Sequence, residues 1–301
     1  MSTFTLASSD PVAHVINHPF WVNEDGLWLW SSAQTNMVIS AIILIIGGVF
    51  VAKAVQTGDD SQGHHRWVTN SRFAHMVEVI FGYLREQTIR PLLHERTDRF
   101  LPFLMTVFFF ILINNLLGLI PLLDIQTLFA GQFAPEMIAE HRGFIGGTAT
   151  QSIWVTGGLS LMAGLMINWA GVRELGVGGY VKHLTADAPV FVWPIIIPIE
   201  IMGTFIKPIA LAIRLFANMT AGHILVAVLL GFAADGFKNL GVIGLPVGIV
   251  SSVAVIAIYF LELFVAFLQA FVFMFLTTVF ISLLAHHGEH DHAHEGEPAH
   301  A

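Results

Sequence analysis

Long apolar stretches, separated by shorter polar segments, dominate the pattern of this chain. A helix that crosses a hydrocarbon core of about 30 Å needs about 20 mostly apolar residues. Five stretches meet this requirement, and they cover residues 37–55, 101–121, 153–172, 190–232 and 242–285. The pattern therefore predicts an all-α integral membrane protein with five transmembrane crossings.

The last two stretches are longer than a membrane requires. Residues 247–285 contain no proline, and at 1.5 Å per residue an unbroken helix over this range is about 58 Å long. A strong tilt or a kink can accommodate such a length. We expect the last two helices to be long and strongly tilted, a shape that suits oblique packing around a cylindrical partner.

The segment of about residues 69–95 is too polar to span a membrane. Its apolar residues recur at helical spacing and include Phe73, Met76, Val77, Ile80, Leu84 and Leu92. This pattern favours an amphipathic helix on the cytoplasmic surface of the membrane, and a helix in a soluble loop is the alternative. We assign it to a membrane domain of residues 37–285.

Basic residues orient the helices, because cytoplasmic loops collect Lys and Arg. With the N-terminus outside, nine basic residues fall on the inner side and two, Arg142 and Lys238, on the outer side. Residues 1–36 then form an extracytoplasmic N-terminal segment, for which we expect no cleavage. The histidine-rich tail, residues 286–301, is predicted to be disordered and cytoplasmic.

Composition narrows the function classes. Hydrophobic residues make up 55% of the 301 residues and charged residues only 11%, which argues against a soluble enzyme or a nucleic-acid binder. The net charge of −8 reflects acidic residues near both ends. Because the chain has no cysteine, disulfides, thiol catalysis and cysteine-ligated metal sites are excluded.

Polar residues inside the two long apolar stretches are the candidate functional residues. On the fourth stretch they are Glu200, Lys207, Arg214, Asn218 and His223, and on the fifth they are Tyr259, Glu262 and Gln269. At 100° per residue the first four fall within about 40° of one another, so they form one stripe. Structural alternatives remain open: Lys207 can extend to an interface or pair with Glu200, and Asn218 and Gln269 can join helices.

Arg214 is the strongest candidate for function. An arginine at the bilayer centre costs about 2.5–3.5 kcal/mol on insertion scales. It stays protonated at any relevant pH and so acts as a fixed positive charge, whereas Glu and His exchange protons. The combination favours a proton pathway interrupted by a permanent cation.

The run KPIALAIRLFANMTAGH, residues 207–223, resembles the signature of subunit a of F-type ATP synthases. Residues 268–273, LQAFVF, are similar to a second signature of that family, and residues 115–121, NLLGLIP, are similar to a third. The resemblance covers roughly residues 70–285.

The resemblance implies a stator channel beside a rotating c-ring, in a complex that also contains subunit b and lies in the bacterial inner membrane. Arg214 matches the arginine that faces the ring carboxylate, Gln269 the glutamine near it and Asn218 the asparagine one turn beyond. Glu200 matches an acidic position on the cytoplasmic exit side. His223 and Glu262 match the access-channel pair, with the acid and the histidine in the mitochondrial arrangement. Tyr259 and Lys207 are accessory candidates.

The predicted function is that of a proton-conducting subunit with two offset aqueous half-channels, not an enzyme on its own. No phosphate-binding loop motif occurs in the chain, and no cofactor, resident metal or nucleic acid is expected. A stand-alone proton-coupled transporter is the main alternative, although no internal repeat supports it. An intramembrane metalloenzyme using His223 is a weaker one.

Overall fold

The computed structural model describes residues 19–22, 28–55, 69, 71–120, 149–184, 190–238 and 241–294. Some side chains within these ranges are outside the description, including that of Glu200 and those after Leu283. Most of the predicted N-terminal segment and residues 295–301 of the histidine-rich tail also lie outside it.

Helices account for nearly all of the described residues, which confirms a helical membrane protein in outline. Seven α-helices follow one another in the described ranges: α1 Ser32–Val55, α2 Arg72–Tyr83, α3 Arg90–Leu93, α4 Thr97–Leu119, α5 Ile153–Leu184, α6 Trp193–Lys238 and α7 Gly241–His294. A π-helical segment, Leu84–Ile89, joins α2 to α3, and short 3₁₀ turns cover His94–Arg96, Ala149–Gln151 and Val190–Val192.

A short hairpin precedes α1, so the all-α prediction is wrong in this detail. Strand β1, Pro19–Val22, pairs antiparallel with β2, Trp28–Ser31. The sequence carries a hairpin signal here, since aromatic and branched residues flank Asp25-Gly26. Trp30 Nε1 donates a 2.7 Å hydrogen bond to Thr35 Oγ1 and so joins the hairpin to α1.

Five helical segments among the described residues are long and apolar enough to cross a membrane, the number that the pattern predicted. They are Ser32–Val55, Arg72–Leu119, Ile153–Gly176, Ile209–Phe237 and Gly244–Leu283. The predicted boundaries need correction at several ends. The first helix starts earlier than residue 37 because polar residues such as Thr35 and Asn36 are buried in the protein. The last continues past residue 285 because no proline lies between Pro246 and Pro298.

The predicted amphipathic segment is a series of helical turns. It comprises α2, the π-helical segment, α3 and the 3₁₀ turn, and it leads directly into α4. Ser71 caps α2, with its hydroxyl accepting from the backbone N–H of Ala74. The single helix expected over 69–95 is therefore interrupted within its second half.

Gly176 marks the point where the apolar part of α5 ends. Its φ of 69° is left-handed, a conformation that glycine adopts without the steric cost of a Cβ. The backbone therefore changes direction there, and the apolar segment stops at Gly176 although helical turns continue to Leu184.

The chain divides into two compact units. The first comprises residues 1–42, 110–156 and 212–270, and the second comprises residues 43–109, 157–211 and 271–301. Within the second, Arg96 and Arg99 contact the carboxylate of Glu174 at 3.2 Å and 2.5 Å. Arg99 and Arg173 also lie over the ring of Trp169. The contacts of Arg96 and Arg99 join the 3₁₀ turn and the start of α4 to α5.

Within the first unit, α6 and α7 approach closely at a pair of glycines. A β-carbon built on Gly236 would lie 2.6 Å from the backbone nitrogen of Gly248. Real β-carbons do not come so near a backbone atom, so the two helices pack in contact only because position 236 lacks a side chain.

Replacing Gly236 by alanine is expected to destabilise the protein by about 1–3 kcal/mol, because overpacking forces the helices apart. The thermal unfolding temperature of the detergent-purified protein measures this. Gly231→Ala is the matched control, since a β-carbon there meets nothing within 4 Å. Equal unfolding temperatures for the two variants would contradict the close contact.

Candidate functional site

Arg214 lies on an exposed, largely apolar face of α6. Its side chain is exposed, and so are those of Ile209 and Ile213, at 54% and 53%. Helix α7 also exposes apolar side chains, with Phe260 and Phe264 exposed at 70% and 66%. No described side chain forms an ion pair with the Arg214 guanidinium.

Asn218 and Gln269 join α6 to α7 one turn beyond Arg214. Asn218 Nδ2 donates a hydrogen bond of 3.0 Å to Gln269 Oε1, and Gln269 is only 3% exposed. The bond agrees with the alternative of an interhelical contact. It also places the amide of Gln269 next to the face that carries Arg214.

Glu262 is a buried carboxylate on α7. The residue is 6% exposed, and neither carboxylate oxygen has a hydrogen-bond partner among the described residues. Burying an ionised carboxylate without a partner is unfavourable. The group therefore requires either water or a proton, which suits proton exchange.

Gly222 on α6 supplies the space that the Glu262 carboxylate occupies. A β-carbon built on Gly222 would overlap Glu262 Oε1 and lie 3.3 Å from its Cγ. A larger residue at position 222 cannot coexist with this position of the carboxylate. Gly222 is thus part of the site, although the sequence analysis noted it only as a letter of the signature.

His223 follows Gly222 directly and is half-buried, as is Tyr259 on α7. Because Gly222 contacts Glu262, the turn of α6 that carries His223 lies next to the turn of α7 that carries Glu262. A proton relay between His223 and Glu262 remains a prediction.

Lys207 lies on the part of α6 that belongs to the second unit. Its Nζ is 5.2 Å from the centre of the Phe280 ring of α7, a cation–π contact that offsets part of the cost of the charge. The side chain of Glu200 lies outside the described residues, so its predicted role and its possible pairing with Lys207 are untested.

Two further residues of the site were missed by the sequence analysis. Asn115 on α4 and Thr150 in the 3₁₀ turn are both fully buried. They form a hydrogen-bonded chain that ends on the backbone of α7 at Ala266. Asn115 opens the third matched motif, but nothing in the spacing shows which helix it contacts.

Metal ligands do not converge in the described part of the chain, where no group of three or more His, Asp or Glu side chains could hold an ion. The histidine side chains of the tail lie outside that part.

Comparison with known proteins connects this site to a family. A family model described as ATP synthase A chain matches residues 35–282. ATP synthase subunit a of Myxococcus xanthus is 39% identical over 234 residues, which is 75% of this chain and 67% of that protein. Its counterpart from Chloroherpeton thalassium is 37% identical over 228 residues, 75% and 60% of the two chains.

A longer alignment covers almost the whole chain. ATP synthase subunit a of Chlorobium phaeobacteroides is 32% identical over 295 residues, 97% of this chain and 75% of that protein. Several curated relatives extend further, and the chain spans only 50% of the subunit a from Anaeromyxobacter dehalogenans strain 2CP-1.

Proposed function

The chain belongs to the ATP synthase A chain family, and on that premise we propose that it is the proton-conducting stator subunit of a rotary F-type ATP synthase. Relatives named ATP synthase subunit a, 32–39% identical over most of the chain, support this role. The structural observation that carries it is an exposed arginine, Arg214, on the apolar face of a membrane helix.

Arg214 needs a partner outside the described chain. A guanidinium facing lipid costs several kcal/mol, and a carboxylate on a neighbouring subunit removes that cost by forming an ion pair. When the carboxylate moves past, it must exchange this pairing for a proton. A protonated carboxyl gains no ion-pair energy from the fixed positive charge of Arg214, so a ring carboxyl is stabilised there only after it has released its proton. Arg214 therefore separates two proton pathways.

Proton uptake takes place on the side of Glu262 and His223. A buried carboxylate without described partners can bind and release a proton through water, and His223 lies on the neighbouring turn of α6. The proton neutralises the ring carboxylate that has left Arg214, and the neutral form enters the lipid at much lower cost than the charged form.

Proton release takes place on the Glu200 side after rotation of the ring. Each elementary charge that crosses 100 mV gains about 2.3 kcal/mol, so several protons contribute to one ATP. Glu200 supplies an acidic group near the cytoplasmic exit, and Lys207 is an accessory cation. ATP itself is made on other subunits of the complex.

The arrangement in the membrane is part of the proposal. The N-terminus faces outward and the tail faces the cytoplasm of the bacterial inner membrane, because basic residues concentrate in the segments assigned inside. The segment from α2 to the 3₁₀ turn lies along the cytoplasmic surface, and α6 and α7 are strongly tilted. Subunit b and membrane lipid complete the surroundings.

Proton conduction by the assembled complex tests the proposal. Inner-membrane vesicles that contain the complex are expected to synthesise ATP after an acid-to-base transition, with no requirement for added sodium. Purification should recover the chain together with a c-ring. A chain that purifies alone and carries a solute with protons would support the transporter alternative.

Gly222→Ala is expected to slow proton conduction several-fold, because the new β-carbon displaces the Glu262 carboxylate from its position. Folding should change little, since the displaced atoms end a flexible side chain. Passive proton conductance of vesicles stripped of the ATP-synthesising sector measures the effect, with Gly231→Ala as the control. Unchanged conductance in Gly222→Ala would show that the carboxylate position does not matter.

A further inference from the structure

A buried hydrogen-bonded chain connects α4, the 3₁₀ turn and α7. Thr150 Oγ1 donates to Asn115 Oδ1 at 2.9 Å, and Asn115 Nδ2 donates to the backbone oxygen of Ala266 at 3.3 Å. Asn115, Thr150 and Ala266 are each 0% exposed. The hydroxyl of Thr150 fixes the orientation of the amide, because it donates to the amide oxygen and leaves the NH₂ group to face α7.

The hydrogen-bond acceptor, the backbone oxygen of Ala266, lies between Glu262 and Gln269 along α7. Ala266 follows Glu262 by one helical turn and precedes Gln269 by slightly less than one turn, so all three share a face. Its carbonyl retains a second lone pair beside the helical hydrogen bond. A side chain from another helix that donates to this oxygen holds α7 at one height and one rotation.

Both contacts between α6 and α7 at the site depend on that position. The Asn218–Gln269 hydrogen bond and the fit of Glu262 against Gly222 need the same register. A slip of one residue moves α7 by about 1.5 Å and turns it by about 100°, which breaks both contacts. The apolar residues elsewhere on α7 tolerate such a slip far better, because their packing is not directional.

We propose that Asn115, oriented by Thr150, is a positioning residue that sets the register of α7 and thereby places Glu262 and Gln269 against α6. This inference rests on the proposed function for its purpose, but its geometry is testable without proton transport. Asn115 touches neither Glu262 nor the transported proton in this account and acts through the backbone of α7.

The neighbouring residue Asn114 provides a matched control. Asn114 is equally buried, at 1% exposure, but its amide donates to Phe110 of its own helix at 2.8 Å. Replacing either asparagine by leucine exchanges a buried amide for an apolar side chain of similar volume, in the same helical turn. Only the Asn115 replacement removes a hydrogen bond to α7.

Disulfide formation reports the register directly, because the natural chain has no cysteine. A β-carbon at position 222 lies 3.3 Å from the Cγ position of residue 262, so thiols placed there by Gly222→Cys and Glu262→Cys can bond. The pair Gly222→Cys and Leu261→Cys should not, since Leu261 is 56% exposed. Oxidation is followed in membranes that contain the assembled complex.

In the Asn115→Leu background, the 222–262 disulfide is expected to form roughly three- to tenfold more slowly, the range given by the loss of one interhelical hydrogen bond. Asn114→Leu should leave the rate unchanged. Thr150→Val should slow it by a smaller factor, and Thr150→Ser, which keeps the hydroxyl, should restore it. If the Asn115→Leu protein does not accumulate in membranes, the comparison of Thr150→Val with Thr150→Ser tests the proposal instead.

Equal disulfide rates in the Asn115→Leu and Asn114→Leu backgrounds, or in Thr150→Val and Thr150→Ser, would overturn the positioning role. This result would leave the proposed function untouched, because the cysteine assay does not depend on protons. A complex with the unsubstituted chain that fails to conduct protons, together with the expected disulfide differences in the cysteine variants, would overturn the proposed function alone.

Discussion

Arg214→Ala is expected to abolish coupled ATP synthesis while leaving the complex assembled. The side chain is exposed and has no described ion-pair partner within the chain, so its removal leaves no unpaired group among the described residues and creates no cavity there. The fixed positive charge is lost, and a carboxylate of the ring no longer needs to release its proton when it reaches this position.

Vesicles with the Arg214→Ala complex should synthesise ATP at least about a hundredfold more slowly, the order of effect for loss of a charge-pairing step in a low-dielectric site. Leu230→Ala, at an exposed apolar position of the same helix, is the control. Arg214→Lys keeps the charge but not the planar fork of donors and should restore little activity. Robust synthesis by Arg214→Ala would end the proposal that this residue separates two proton pathways.

The sequence placed candidate residues on helix faces but did not predict their contacts. Arg214 and Asn218 could be placed on one face by spacing alone, because a helix repeats every 3.6 residues. The hydrogen bond between Asn218 and Gln269 could not be predicted in this way, because it depends on how α6 and α7 cross. The crossing depends on close contacts such as Gly236 with Gly248, which periodicity does not contain.

Residues that act through the backbone were invisible in the pattern. Gly222 has no side chain to mark it, and its importance is the volume that the Glu262 carboxylate fills. Asn115 stands among apolar neighbours, but its partner, the carbonyl of Ala266, is 151 positions away in the chain. Such contacts follow from tertiary packing and not from local propensity.

The helical outline of the predicted fold is confirmed, but several predicted helix ends are wrong. Hydrophobic length located the five candidate spans because lipid requires about 20 apolar residues per crossing. It could not locate the start of α1, where Asn36 is buried by protein, since hydropathy does not distinguish polar residues in protein from polar residues in water. The hairpin before α1 was missed because a search for apolar stretches ignores short strands.

Glu262→Gln tests the second half of the mechanism. Glutamine has nearly the same shape as glutamate, so it fits against Gly222 and keeps the packing of α7. It cannot bind or release a proton near neutral pH. Removing a buried carboxylate without described partners should leave the stability of the protein unchanged or slightly higher.

Proton conduction of Glu262→Gln vesicles is expected to fall by about a hundredfold, at the low end of the usual contribution of a proton-transferring group. Glu95→Gln makes the same chemical change at an exposed position and should conduct normally. Glu262→Asp retains a carboxyl group, withdrawn from Gly222 by one methylene, and should recover part of the rate. Normal conduction in Glu262→Gln, with the complex intact, would mean that the carboxylate only fills space between α6 and α7 and that protons reach the ring carboxylate by another route.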